Sequence, residues 1–301
     1  MVIFVKLLAR FMALWPVSVS RGMARAMGFF LSRVIRLRRK SVLDALEKSF
    51  PDMTPRDRLR LYREVCAQQM LTLVEVLRHT GGRPDEFSSR LHVEGAERAQ
   101  EAHHRGKGVL VLIAHYGNYA LLAMHVQRLF GYPLSVVSKR MRSAFMTELW
   151  FNQLKQHGCT TIEAKNAYRA CCKALHRQEM VGFMLDQNRP FPSGVFVDFF
   201  GRPASTTPGL ALLSAQTKAP VLPVFMRRAP DGTHWLQALP CIEPPPDHHP
   251  ETILRYTARY TKLIEDQIRA YPEQWLWWHK RWKSQPPPEE KPTAEDGGLP
   301  S

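Results

Sequence analysis

Short apolar runs rich in branched residues alternate with longer amphipathic stretches from residue 108 onward. The runs lie at residues 108–113, 134–138, 181–185, 194–200, 219–226 and 234–239. Each run has the length and composition of a buried strand. The stretches between them that have the length of helices are residues 119–130, 143–157, 166–177 and 207–217. This alternation predicts an α/β fold with a mixed, largely parallel sheet covered by helices on both faces.

Helical and irregular segments flank this alternating region. Residues 41–79 have a helical pattern, with Asp52 or Thr54 positioned as a helix cap, and residues 251–271 predict a last long helix. Residues 284–301, SQPPPEEKPTAEDGGLPS, are rich in proline and acidic residues, which predicts a disordered tail. The chain is therefore expected to comprise three parts, at residues 1–40, 41–283 and 284–301.

The N-terminal part is expected to associate with a membrane through a helix that is basic on one face and apolar on the other. On a helical wheel, one arc of roughly 120° collects Arg21, Arg25, Arg33, Arg36, Arg39 and Lys40. Apolar side chains lie largely opposite, an arrangement typical of a helix on anionic lipid. Two alternatives stay open: a helix packed on its own domain, and a tilted span through residues 2–20. No cleavage site predicts a secretory signal.

The formal net charge of +15 favours an anionic partner, which could be nucleic acid, anionic lipid or an acidic carrier protein. No nucleic-acid-binding motif occurs in the chain, and the cations gather in the N-terminal part and near the polar turns described next. We therefore expect no nucleic-acid partner. The five cysteines form no zinc-like pairs, which predicts reduced thiols and no metal site.

His115 directly follows the apolar run 108–113 and precedes a tight turn that contains Gly117 and Asn118. Chemistry in α/β proteins gathers at the carboxyl ends of strands, so His115 is a candidate general base, although a lone histidine can also be structural. Residues 102–147 contain no Asp or Glu that could orient the imidazole.

Further polar residues follow other predicted strands, where they can line the same crevice. Asp186 and Arg189 lie in the turn after residues 181–185. A basic cluster, Lys139, Arg140 and Arg142, follows residues 134–138 and could bind phosphate. The helix that starts near residue 207 is expected to be capped by Thr206 or Thr207.

Four segments carry a resemblance to a known family: AHYGNYALL, DQN, GVFVDFFGRPASTTPG and YPEQWLWWHKRWK. Over nearly its whole length the chain resembles the bacterial lipid A biosynthesis (late) acyltransferases, lauroyl or myristoyl transferring, of the lysophospholipid acyltransferase superfamily. The resemblance implies transfer of a fatty acyl group from acyl carrier protein or a coenzyme A thioester to a hydroxyl of a lipid A precursor. It implies no further cofactor, and a location at the cytoplasmic face of the bacterial inner membrane.

The resemblance also marks residues expected to contact substrate. The cluster Lys139, Arg140 and Arg142 resembles the family's basic cluster after its second strand. The same crevice is expected to include Asn118, Asp186 and Arg189. The tryptophans and cations of residues 275–283 resemble an aromatic-basic interface belt, with packing in the core as the alternative.

The family's His-x-x-x-x-Asp/Glu motif is incomplete in this chain. His115 is its histidine, and Ala120 stands at the position of the acid. In such a motif the histidine takes the proton of the acceptor hydroxyl, and the carboxylate holds the imidazole in the correct tautomer. Alanine predicts an impaired enzyme or a noncatalytic lipid-binding homologue, unless Asp186 supplies the acid. Ornithine lipid, an aminolipid and a phospholipid remain alternative acceptors.

Overall fold

The computed structural model describes residues 2–141 and 143–287, so Arg142 and most of the predicted tail lie outside the described residues. The helices are α1 (Val2–Leu14), α2 (Val17–Phe30), α3 (Arg39–Ser49), α4 (Pro55–Thr80), α5 (Pro84–Ser88), α6 (Glu97–His103), α7 (Tyr119–Phe130), α8 (Ala144–Gln156), α9 (Ala167–His176), α10 (Gly209–Thr217) and α11 (Pro250–Ala270). The strands are β1 (Leu91–Glu94), β2 (Val109–Ile113), β3 (Leu134–Ser138), β4 (Thr160–Glu163), β5 (Met180–Met184), β6 (Val195–Asp198), β7 (Pro203–Thr206), β8 (Val221–Arg228) and β9 (His234–Ala238).

Seven strands form one sheet in the order β1-β9-β8-β2-β5-β3-β4. Every neighbouring pair is parallel except β8 and β9, which are antiparallel. The predicted mixed, largely parallel sheet is therefore confirmed. The run at residues 194–200 does not join this sheet, because β6 pairs instead with β7 in a separate antiparallel hairpin.

Helices cover both faces of the sheet, since side chains along β2 alternate between two apolar cores. Leu110 and Leu112 enter a core shared with α3, α4, α9, α10 and α11. Val109, Val111 and Ile113 enter the opposite core, which is shared with α6, α7 and α8. A strand buried on both faces explains why residues 109–113 form a continuous apolar run rather than an alternating one.

Residues 1–40 differ from the single predicted helix. Pro16 separates α1 from α2, because proline offers no backbone N–H to a continuing helix. A π-helical turn at Leu31–Ile35 ends the second helix. Both helices pack along α4: Gly28 lies against the Ala67 backbone, and buried Arg78 donates to the Met12 carbonyl at 2.7 Å.

The outer surface of these N-terminal helices carries apolar side chains in contact with solvent. The exposed set consists of Leu7, Leu8, Phe11, Leu14, Trp15, Val19, Met27, Phe29, Phe30, Val34 and Ile35. Arg25, Arg33 and Arg36 are also exposed beside them. Among the described residues, no helix combines the length and the apolar character that crossing a membrane requires.

Threonine caps were predicted at the starts of α4 and α10. Thr54 caps α4 as predicted, since its hydroxyl accepts a hydrogen bond from the Asp57 backbone N–H at 3.2 Å. The predicted threonine cap of α10 is confirmed only in part, because Thr207 Oγ1 accepts a hydrogen bond from the Gly209 backbone N–H at 3.3 Å. Thr206 belongs to β7, and Pro208 occupies the cap position without a side-chain hydrogen bond.

Candidate active site

The register of two neighbouring strands brings His115 and Asp186 together. Strands β2 and β5 are parallel, and Ile113 pairs with Met184 at their carboxyl ends. His115 and Asp186 each lie two residues beyond these paired positions. Two chain segments that leave parallel strands in register therefore present their side chains at the same point of the sheet edge.

The Asp186 carboxylate holds the His115 imidazole through its Nδ1 atom. Oδ1 accepts a hydrogen bond from His115 Nδ1 at 3.0 Å. Oδ2 accepts from the His115 backbone N–H at 3.0 Å and from Trp275 Nε1 at 2.8 Å. Because an ionised carboxylate can only accept, the hydrogen-bond partners assign the proton to Nδ1 and leave Nε2 with the basic lone pair.

Asp186 is ionised although it is only 2% exposed. Burial opposes its ionisation, but the charge of His115 and hydrogen bonds from His115 and Trp275 outweigh that effect and lower the pKa of Asp186 to about 2. Arg281 is a buried cation whose environment is coupled to Asp186. Burial lowers the pKa of Arg281 to about 10, while the charge of Asp186 acts in the opposite direction. The site thus combines the buried carboxylate of Asp186 with the His115 imidazole and the Arg281 guanidinium.

The turn after β2 fits only one backbone path. Gly117 has a φ of 58°, and any side chain there would overlap the Met226 carbonyl oxygen. Asn118 caps α7 by accepting from the Leu121 backbone N–H at 3.1 Å, and its amide donates to Glu75 at 2.7 Å. Half-buried Glu75 also pairs with buried Arg228 at 2.6 Å. This network fixes the loop that carries His115.

Residues 274–284 hold the Asp186 turn from the other side. The Trp275 indole binds Asp186 itself, and His279 Nε2 accepts from the Asn188 backbone N–H at 2.9 Å. Arg281 donates to the Gln187 carbonyl at 3.4 Å and to Thr206 Oγ1. Trp275 and Trp277 are 1% and 2% exposed, so both belong to the core and not to an interface belt.

The predicted site residues fall into two groups in the structure. His115 and Asp186 are in contact, whereas Ala120 is buried in the first turn of α7, 8% exposed. Asn118 is fully buried with both polar groups engaged by α7 and Glu75, so its position is that of a helix cap and not of a substrate contact.

The basic residues lie at the edge of this arrangement. Lys139 and Arg140 are exposed after β3, and Arg140 forms ion pairs with Glu163 at 3.0 Å and with Glu148 at 3.5 Å. Arg189 is half-buried in the turn that follows Asp186, where its backbone N–H donates to the Ser205 carbonyl at 3.0 Å. Arg142 lies outside the described residues.

Sequence reasoning missed two supports of the site. Glu75 lies near the end of the long helix α4, far from His115 in the chain, and in sequence it resembles an ordinary polar helix position. Trp275 was assigned to a surface belt or to the core, without a role at the carboxylate. One signal could have found it, since a buried tryptophan normally requires an acceptor for its indole N–H.

The fold and the paired residues define a class of protein. It is an α/β protein in which a histidine, hydrogen-bonded to a buried carboxylate, stands at the carboxyl edge of a largely parallel sheet. The chain matches the family model for bacterial lipid A biosynthesis acyltransferases over residues 1–284. The chain therefore belongs to that family, and it is an acyltransferase.

Individual relatives are distant in sequence but match most of the chain. The lipid A biosynthesis lauroyltransferase of Escherichia coli is 28% identical over 90% of this chain and 87% of its own. The palmitoleoyltransferase of the same organism is 26% identical over 85% and 81%. A solved 1-acyl-sn-glycerophosphate acyltransferase, PlsC from Thermotoga maritima, is 15% identical with a TM-score of 0.38, covering 84% of this chain and 98% of that chain.

Proposed function

We propose that this chain transfers a fatty acyl group from acyl carrier protein or a coenzyme A thioester to a hydroxyl of a lipid A precursor or a related membrane lipid. In this proposal His115 is the general base and Asp186 orients it. The observation that supports these roles is the 3.0 Å contact between His115 Nδ1 and Asp186 Oδ1, which leaves Nε2 free to accept a proton.

The proposed reaction proceeds through a tetrahedral intermediate. The acceptor hydroxyl gives its proton to His115 Nε2 while its oxygen attacks the thioester carbonyl carbon. The new C–O bond forms, and one electron pair of the carbonyl moves onto its oxygen. Collapse of the intermediate breaks the C–S bond, and the imidazolium returns the proton to the leaving thiolate. The products are an ester and a free thiol, with His115 neutral again.

Ala120 is compatible with activity in this proposal, since Asp186 takes the role that the family motif gives to the residue at position 120. A carboxylate that accepts from both Nδ1 and the His115 backbone fixes the orientation of the ring and its tautomer. The competing proposal, an enzyme impaired by Ala120, requires that Asp186 in this contact does not support turnover. The two proposals predict opposite outcomes for substitutions at positions 186 and 120.

The proposed location is the cytoplasmic face of the bacterial inner membrane, with α1 and α2 lying on anionic lipid. Its support is the exposed apolar set on these helices, which includes Leu14 at 76% and Phe29 at 56% exposure. A concentration of large exposed apolar side chains in one segment is uncommon on a protein that contacts only water. Neighbouring Arg25, Arg33 and Arg36 add attraction to anionic head groups.

The two Escherichia coli relatives carry the names of a lauroyltransferase and a palmitoleoyltransferase, so the acyl group differs between members of the family. We propose that Lys139, Arg140 and Arg142 contribute to binding the phosphates of the donor or of the acceptor lipid. Arg140 must leave Glu163 and Glu148 to do so. All the proposed donors and acceptors have three features in common: a thioester in the donor, a hydroxyl on the acceptor lipid and an anionic membrane surface.

The test is acyl transfer by the purified full-length chain in mixed vesicles. Acyl carrier protein and coenzyme A thioesters of several chain lengths are paired with a lipid A precursor, ornithine lipid and phospholipid, and products are identified by mass spectrometry. His115→Ala should abolish transfer at an unchanged melting temperature. His104→Ala, at an exposed histidine that directly follows α6, is the matched control. Undiminished transfer by His115→Ala would exclude the proposed base.

A further inference from the structure

The side-chain amide of Gln187 lies directly against the imidazole of the proposed base. Its Nε2 atom is 3.1 Å from His115 Nε2 and 3.5 Å from His115 Nδ1. The Nε2 lone pair points out of the ring, away from Nδ1. A donor on that lone pair would therefore be much farther from Nδ1 than from Nε2. The two similar distances therefore place the amide over the face of the ring and leave the Nε2 lone pair open.

An acceptor hydroxyl can consequently reach the base without displacing Gln187. The hydroxyl oxygen must lie in the plane of the ring, on the Nε2 lone pair, and the carbonyl carbon that it attacks lies one bond beyond. The amide nitrogen is beside that position, within about 3 Å of Nε2, and it carries two N–H donors. Negative charge develops on the former carbonyl oxygen in this region during attack.

Three backbone donors near the base are already engaged. The His115 N–H donates to Asp186, and the Gly117 N–H donates to the Gln274 carbonyl. The Asn188 N–H donates to His279. Within the described part of the chain, the Gln187 amide has no hydrogen bond except its contacts with the imidazole. It is therefore a free donor next to the reacting atoms.

Gln187 is also held at this point by its backbone. Its carbonyl accepts from buried Arg281, and the flanking residues Asp186 and Asn188 are both bonded to the C-terminal segment. This backbone anchoring restricts where the amide can lie, and a donor that already lies near its working position needs little reorganisation when charge appears.

We propose that Gln187 is a catalytic residue that donates a hydrogen bond to the oxyanion of the tetrahedral intermediate. This inference rests on the proposed function of His115 and Asp186. Gln187 forms no covalent bond and transfers no proton; it binds the oxyanion as the C–O bond forms and releases it when the C–S bond breaks. A side chain that merely packs against the ring would contribute equally to the ground state and to the transition state.

The experiment compares Gln187→Ala and Gln187→Glu with wild type and with Gln156→Ala, at an exposed glutamine that ends α8. Loss of one oxyanion donor lowers turnover by about 10²–10³. We therefore expect kcat to fall by that factor in both Gln187 variants, with KM for donor and acceptor changed less than about threefold and with melting temperatures preserved. Gln156→Ala should keep wild-type kinetics.

A sulfur-substituted donor separates an oxyanion role from a packing role. In a dithioester the carbonyl oxygen is replaced by sulfur, which accepts hydrogen bonds weakly, so an oxyanion donor favours the oxygen substrate. Wild type should prefer the thioester strongly, and this preference should collapse in Gln187→Ala. An unchanged preference, or a kcat within threefold of wild type, overturns the role of Gln187 while His115→Ala still tests the base. Absence of turnover by wild type with every donor and acceptor overturns both proposals.

Discussion

Replacing Asp186 with asparagine removes one charge from the proposed catalytic pair and leaves the side-chain volume nearly unchanged. The native carboxylate accepts three hydrogen bonds, at 3.0, 3.0 and 2.8 Å. An amide has one acceptor oxygen, so its NH₂ group must face either His115 Nδ1 or the Trp275 indole and the His115 backbone N–H. In the first arrangement the imidazole proton moves to Nε2, and the base is lost. In the second, the NH₂ group faces the N–H donors of the Trp275 indole and the His115 backbone, and no hydrogen bond can form between them.

Either arrangement predicts a large kinetic effect and a small structural one. Replacing the orienting aspartate by asparagine in a serine-protease triad lowers kcat by about 10⁴, which is our expectation here. The pKa of Asp186 is about 2 against an ordinary value of 3.8, so its ionisation contributes about 2 kcal/mol to folding. This contribution is complete above pH 3.8 and is lost as the pH falls towards 2. A domain with a free energy of unfolding of about 5–15 kcal/mol tolerates such a loss.

Single-turnover acyl transfer at pH 7.5 measures the effect, and thermal melting monitors the fold. Ala120→Glu serves as the companion variant. If Asp186 already orients His115, adding an acid at position 120 should change kcat by no more than a few-fold. The competing proposal, an enzyme impaired by Ala120, requires a gain of roughly 10²–10⁴. An Asp186→Asn variant that retains wild-type kcat, together with an Ala120→Glu variant that gains activity, would refute the role of Asp186.

Three further outcomes are expected. Trp275→Phe removes the indole donor from Asp186 and should lower kcat about tenfold, with a smaller effect on KM. Burial, together with neighbouring His125 and His157, lowers the pKa of His79 from 6.5 to about 3. The contribution of neutral His79 to the free energy of unfolding should therefore be complete above pH 6.5 and smaller by about 1 kcal/mol at pH 5.5. Denaturant titrations of His79→Asn should show a weaker dependence of stability on pH. Phe29→Ser should weaken sedimentation with anionic vesicles about tenfold, and unchanged sedimentation would contradict the interfacial role of α2.

The main sheet was predictable wherever a strand is buried on both faces. Strands β2, β5 and β8 are continuous apolar runs, and β3 and β9 were also identified. The two edge strands were missed, because β1 and β4 are four residues long and mostly exposed or half-buried. The hairpin of β6 and β7 resembled a sheet strand in sequence, since its apolar residues pack on α11 and the C-terminal tryptophans instead of on the sheet.

The site was predictable only in part, for a reason that lies in strand order. Position after a strand singled out His115 and Asp186 separately. Their contact depends on β2 and β5 being neighbours, although β3 and β4 separate them along the chain. Sequence spacing carries no information about that order. Glu75 and Trp275 contribute through contacts formed by α4 and the C-terminal segment, so nothing local to His115 indicates them.

A carboxylate can orient the histidine wherever one of its oxygens reaches Nδ1, whichever helix or strand carries the acid. An acid at position 120 would be carried by α7, whose first turn is held by the Asn118 cap. Asp186 follows β5. That strand is hydrogen-bonded in register to β2, which is the strand that leads to His115. A strand-borne acid therefore moves with its histidine as one rigid unit. The same geometry makes the carboxylate depend on Trp275, so activity in this chain should be unusually sensitive to the C-terminal segment that supplies that indole.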